Sequence, residues 1–85
     1  MKWTVTYSPD AQDDLAEIWM YTGDKPAVAR AADEIDRLLA HDPLQTGESR
    51  AGITRIVMQP PLAAQFDVHQ DDFIVVVVAI RHGRK

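Results

Sequence analysis

The sequence predicts an α+β domain built as an N-terminal strand, an antiparallel helical hairpin and a three-stranded antiparallel meander, all strands joining one sheet. Three observations carry this. Residues 2–7 alternate polar and apolar with period two. Two stretches, 9–22 and 25–41, then place apolar residues at helical spacing. From residue 53 onward the period returns to two, broken by Pro60-Pro61 and by Gln70-Asp71-Asp72.

Each element has a local cause. In the first strand Trp3, Val5 and Tyr7 face one way and Lys2, Thr4 and Thr6 the other. Ser8-Pro9 starts the first helix. A serine hydroxyl satisfies free N–H groups there, and proline at the first helical position loses nothing by lacking its own. Ala11, Leu15, Ile18, Trp19 and Thr22 form its inward face, and Gly23 marks its end. Trp3, Trp19 and Phe66 are expected in the core. Asp24 caps the second helix, with Pro26 in the first turn and Val28, Ala31, Ala32, Ile35, Leu38 and Leu39 as the apolar stripe. His41-Asp42-Pro43 ends it, because the residue before proline avoids helical backbone. The short link between the helices requires them to fold back on each other.

Residues 44–52, with Gly and Ser, read as a loop, and 53–59 as a strand. Pro60-Pro61 breaks the chain. Leu62, Ala64, Phe66 and Val68 then point in, while Ala63, Gln65, Asp67 and His69 point out. Phe73 to Ile80 is apolar throughout, which predicts a central strand shielded on both faces.

At 85 residues the chain accommodates one domain, 1–85. It has no cysteine, which excludes disulfides and thiolate metal sites. The polar opening MKWTVTYS lacks a signal peptide's apolar region, and the longest apolar run is far below the roughly 20 residues of a membrane helix. The expectation is a cytoplasmic domain. A net charge of −4 argues against general nucleic-acid binding. It is unevenly spread: ten acids face four bases up to Ser49, and five bases face three acids from Arg50 onward.

The most apolar segment ends abruptly in Arg81-His82-Gly83-Arg84-Lys85. Residues leaving a stiff central strand inherit its fixed direction, so this exit suits a binding surface. The plainer reading is that a charged end keeps a chain soluble. Arg55, among apolar strand neighbours, either points to solvent or serves a functional sheet face. His69 beside Asp67, Asp71 and Asp72 matches no metal-site spacing. Asp10, Asp13, Asp14 and Glu17 read as a solvated helix face rather than a catalytic carboxylate pair.

The sequence of strand, helical hairpin and meander, closing on a valine-rich strand and I-R-H-G-R-K, resembles the RelE/ParE superfamily of type II toxin–antitoxin toxins, the plasmid-stabilisation proteins. Ser8-Pro9-Asp10-Ala11 with Asp13, Leu15 and Ile18-Trp19 is similar to that family's opening. Pro60-Pro61-Leu62 through Phe66-Asp67-Val68 resembles its third strand, and Val75 to Arg84 its last. The resemblance implies no cofactor and no metal. It implies a cognate antitoxin as partner, within a hetero-oligomer or beside a homodimer, and one of three activities. A ParE-like toxin inhibits DNA gyrase by binding, through Arg55, Arg81, His82, Arg84 and Lys85. A RelE-like toxin cleaves mRNA on the ribosome, with His82, Arg81 and Arg84 as catalytic residues; an imidazole exchanges protons near neutral pH. A third outcome is a non-toxic binding module that keeps the fold. The nuclease type usually carries an arginine near positions 63 and 64 and a tyrosine after the last strand. Here both positions are alanine, and the tyrosines are Tyr7 and Tyr21. The terminal H-G-R is closer to the ParE branch. An antitoxin that lays a helix or strand into a groove would require exposed apolar surface on the free toxin.

Overall fold

The computed structural model describes residues 2–83. Its elements run β1 (Thr4–Tyr7), α1 (Pro9–Tyr21), α2 (Lys25–His41), β2 (Glu48–Ala51), β3 (Thr54–Gln59), β4 (Leu62–His69) and β5 (Ile74–His82), with single 3₁₀ turns at Pro43–Gln45 and Gln70–Asp72. One five-stranded sheet has the order β1-β5-β4-β3-β2. β1 joins β5 in parallel, and the remaining pairs are antiparallel. Both helices lie on one side of the sheet. α1 packs on β5, and α2 crosses β1, β3 and β4. Among the described residues, no helix is long and apolar enough to cross a membrane.

The helix starts follow from the local chemistry. Ser8 accepts the Ala11 N–H at 3.1 Å, with Pro9 in the first turn. Asp24 accepts the Ala27 N–H at 3.1 Å, with Pro26 likewise placed. The Ser8 N–H donates to the Val77 carbonyl at 2.9 Å, so the point where α1 begins is fixed against the last strand. Val28, Ala31, Ile35 and Leu39 of α2 meet Leu62, Ala64, Phe66 and Val68 of β4 and Val75, Val77 and Ile80 of β5 in one core. Phe66 is its largest fully buried side chain.

Three expectations need correction. Residues 48–51, read as loop, form β2, which lengthens the meander by an edge strand. All four residues are exposed, so no apolar alternation marks them. Phe73 does not begin the last strand. It sits at φ 52° as the left-handed residue of the β4–β5 connection, its ring 5.0 Å from that of Trp3. The last strand is interior, but it is not shielded on both faces. Val75, Val77 and Ile80 are buried under the helices, while Ile74, Val76, Val78 and Ala79 are only half-buried.

That pattern contains a change of phase. The β4–β5 register pairs Gln65 with Ala79 and Phe66 with Val77, which leaves Val78 as an extra residue. The bulge turns Val78 and Ala79 to the same side and returns Ile80 to the core. The apolar run thus serves two faces, of which the helices cover one.

The entry into β2 rests on a glycine. Gly47 has φ +69°, and a Cβ there would stand 2.1 Å from the Ile56 carbonyl oxygen. Arg55 lies opposite Phe66, on the helix side of β3. Its Nε donates to the Thr46 carbonyl at 3.0 Å and its Nη2 to the Gly47 carbonyl at 3.1 Å. Gly47→Ala combines backbone strain with a clash that only movement of β3 relieves. It is expected to lower stability by about 2–4 kcal/mol, read as a drop in the urea midpoint with an unchanged slope.

Candidate functional site

The described part of the basic exit is rigidly held. β5 runs to His82, pairing Arg81 with Ala63 and His82 with Leu62. The Gly83 N–H then donates to the Pro61 carbonyl at 2.5 Å. A Cβ on Gly83 would lie 3.1 Å from that same oxygen, so the glycine permits the close approach. The contact fixes the direction of the strand's last turn against the Pro60-Pro61 corner.

Beyond Tyr7 β1 no longer accompanies β5, and α1 takes over that edge. The Ser8 hydroxyl donates to the Val78 carbonyl at 3.4 Å, and the Ile80 N–H donates to Asp14 Oδ2 at 3.0 Å. Asp14 therefore belongs to the architecture of the exit and not to a solvated face. Together with Glu17, Tyr21, Ile80, Arg81 and His82 it lines a shallow pocket of about 380 Å³. A second pocket of about 610 Å³ lies on the other side of His82, against Asp24, Met58 and Pro60-Pro61.

The register separates the two basic residues. Arg81 is opposite Ala63 and faces the uncovered side of the sheet, whereas His82 is opposite buried Leu62 and faces the helix side. Both are exposed. Arg55 is not brought to them, since its guanidinium is engaged by the Thr46 and Gly47 carbonyls. Arg84 and Lys85 lie outside the described residues. His69, Asp71 and Asp72 surround a small depression at the opposite end of the sheet. Among the described residues, no group of three His, Asp or Glu side chains is placed to hold a metal ion.

A larger feature lies between the helices. α1 and α2 diverge over β1 and leave a groove of about 960 Å³. Val5, Leu15 and Val28 contribute apolar surface, Trp19 and Met20 form one wall, and Asp33 and Asp36 the other. Trp19 is 42% exposed and Met20 70%. The expected core position of Trp19 is thereby corrected: with no second helix packed against it, its indole stays accessible, and Lys25 Nζ sits 5.7 Å from the ring centroid. The sequence carries a signal for this. Ile18-Trp19-Met20-Tyr21 places four large side chains at successive 100° steps around a helix, and one core face cannot take them all.

At the groove's edge the Tyr7 hydroxyl donates to Asp36 Oδ1, tying β1 to α2. Burial raises the Tyr7 pKa well above the ordinary phenol value, and the Asp36 carboxylate, through the hydrogen bond and its charge, raises it further. On the helix's outer surface Arg37 donates to Glu34, which holds that carboxyl below its usual range.

The fold is shared with proteins of known structure. The toxin–antitoxin complex RelBE2 from Mycobacterium tuberculosis contains a chain that superposes with a TM-score of 0.80 at 16% identity, over 96% of this chain and 92% of that one. The chromosomal ParDE system of Pseudomonas aeruginosa gives 0.71 at 17% identity, over 96% and 97%. The archaeal RelE–RelB complex from Pyrococcus horikoshii gives 0.70 at 14%, over the full length of both chains. No curated protein matches by sequence. The fold is that of the RelE/ParE toxins of type II toxin–antitoxin systems. Within that class the family described as ParE toxin of type II toxin–antitoxin system, parDE, matches residues 5–85, and the chain belongs to it.

The phenol's raised pKa has a defined sign. Its folded-state stabilisation is fully present below about pH 10, the unfolded value, and is lost as pH rises from there towards the folded value. Tyr7→Phe is expected to cost about 1 kcal/mol near neutral pH and to show a smaller stability loss than the parent above pH 10, measured by urea unfolding across the alkaline range.

Proposed function

We propose that this toxin acts in the ParE manner, by binding its protein target, with DNA gyrase as that target, and that it cuts no RNA. The observation that carries this reading is the chemistry beside Arg81. Its cross-strand neighbour is Ala63, and Ala64 is fully buried in the core. The position where a ribonuclease of this superfamily would gather cations on phosphate is therefore apolar. Arg81 and His82 both border the shallow pocket at the strand's end, but its other charged lining, Asp14 and Glu17, is acidic, which opposes the gathering of a phosphate there. What remains suits binding: a cation and an imidazole presented from a strand held by the Gly83–Pro61 contact. Arg84 and Lys85 would extend the same basic segment.

The relatives in solved complexes are toxins held by antitoxins, and we assign the antitoxin's seat on this chain to the groove between α1 and α2. Its exposed Trp19 and Met20 offer an aromatic and a thioether anchor, and the Asp33 and Asp36 wall is acidic. An amphipathic segment with a basic edge complements both. The groove and the basic exit occupy different parts of the molecule, so the antitoxin silences the toxin by covering neighbouring surface or by holding it in a complex.

Expression in a bacterial host is expected to arrest growth, and co-expression of the antitoxin to relieve the arrest. Purified toxin should inhibit gyrase supercoiling while total mRNA stays intact. Codon-linked mRNA cleavage that His82→Ala abolishes would establish the ribonuclease activity instead, and an absence of arrest would identify a non-toxic binding module. Trp19→Glu is expected to weaken antitoxin binding by about 30-fold or more, measured by calorimetry, and to give arrest that the antitoxin no longer relieves.

A further inference from the structure

We propose that the uncovered face of the sheet is the interface of a homodimer, in which Arg81 of each copy pairs with Asp67 of the partner subunit. Both helices pack on the opposite side. Yet this face carries Ile56, Met58, Ala63, Val76, Val78 and Ala79 across its three central strands, with Met58 66% exposed. Half of the most apolar segment in the chain, Ile74 and Val76 by strand alternation and Val78 and Ala79 at the bulge, thus lacks a cover within its own subunit.

The charges select a second copy as the cover. On β3, β4 and β5 the acidic and basic side chains of this face are Asp67 and Arg81, one of each sign, with His69 beyond Asp67 at the rim; at the β2 edge Glu48, opposite Ile56, is paired with Arg50 of its own strand. Such a face gives a polyanion no net attraction. Asp67 is held by the Thr54 hydroxyl, which donates to Oδ1 at 2.6 Å. Arg81 stands opposite Ala63, four residues along β4 from Asp67, about 13 Å at strand rise. A two-fold axis crossing the strands at the Gln65–Ala79 pair exchanges these two ends. It lays each arginine over the other copy's aspartate, and both contacts form at once because such an interface repeats every interaction. Sheets stack about 10 Å apart. Ala63 and Ala79 near the axis admit that approach, and Met58 fills space beside them. A standard interface takes roughly 800 Å² from each partner, about a seventh of the 5493 Å² surface of this chain. One side of a two-layer domain is of that order. The two outer faces of the dimer then carry the helical grooves, which stay open, while Arg81 is withdrawn from the basic exit, so the dimer and target binding through Arg81 exclude each other.

Sedimentation equilibrium of the purified full chain, from low micromolar to several hundred micromolar, tests this without reference to toxicity. A monomer–dimer equilibrium is expected. Asp67→Arg alone or Arg81→Asp alone places like charges opposite each other and should weaken the dimer by about tenfold or more. The double reversal should restore it to within a few-fold. Met58→Asp, at an exposed position, should give a monomer with unchanged circular dichroism and serves if a charge reversal fails to fold. A monomer at every concentration overturns the proposal. So does a dimer indifferent to these substitutions, and a double reversal as weak as the single ones overturns the pairing.

Discussion

β1 contributes four residues, yet it runs parallel to β5 and joins the first strand of the chain to the last. A parallel neighbour cannot follow its partner through a tight turn, so the chain between them must travel over one face of the sheet and return. α1 begins where β1 ends, with the Ser8 N–H on the Val77 carbonyl, and α2 sends its Ala40 carbonyl back to the Trp3 N–H at 2.8 Å. These ties place the helical layer. They also decide which side of β5 is roofed and which is left bare, and they fix the strand's exit at Arg81 and His82.

Elements set by near neighbours along the chain are legible in the residues themselves. Ser8-Pro9 and Asp24-Lys25-Pro26 announce helix starts because capping needs only residues within one turn. The alternation of β4 survives intact as Leu62, Ala64, Phe66 and Val68 inward. β2 is illegible because an exposed edge strand has no apolar face to write, and it exists only by pairing with β3. The Val78 bulge is illegible for a related reason: with apolar residues on either side, a one-residue slip leaves no trace in the pattern. At the candidate site, the placing of Arg81 and His82 at a strand's end follows from the run that precedes them. Their divergence onto two faces requires the register. The position of Arg55 is hidden because its partners are main-chain carbonyls brought near by Gly47, and no side-chain pattern encodes those.

The molecule thus has two unlike working sides. The helical side offers a groove with an aromatic wall and acidic margin, and the sheet side a largely apolar field that carries Asp67 and Arg81 on its central strands and Glu48 at its β2 edge. Two helices of 13 and 17 residues cannot roof five strands and also pack tightly on each other, so the groove is a consequence of economy in chain length. An 85-residue chain thus presents two chemically distinct surfaces from one layer of helices and one of strands.

The carboxylate of Asp14 on the Ile80 amide carries a further consequence. A strand that outruns its neighbour offers its idle amides to any extended chain nearby, which is how sheets spread into fibrils. Here a helix side chain has already taken one of those amides, and it brings a negative charge to the vacant margin. That stretch of β5 is thereby a poor template for a further strand, because one of its amides is occupied and the incoming chain meets a carboxylate.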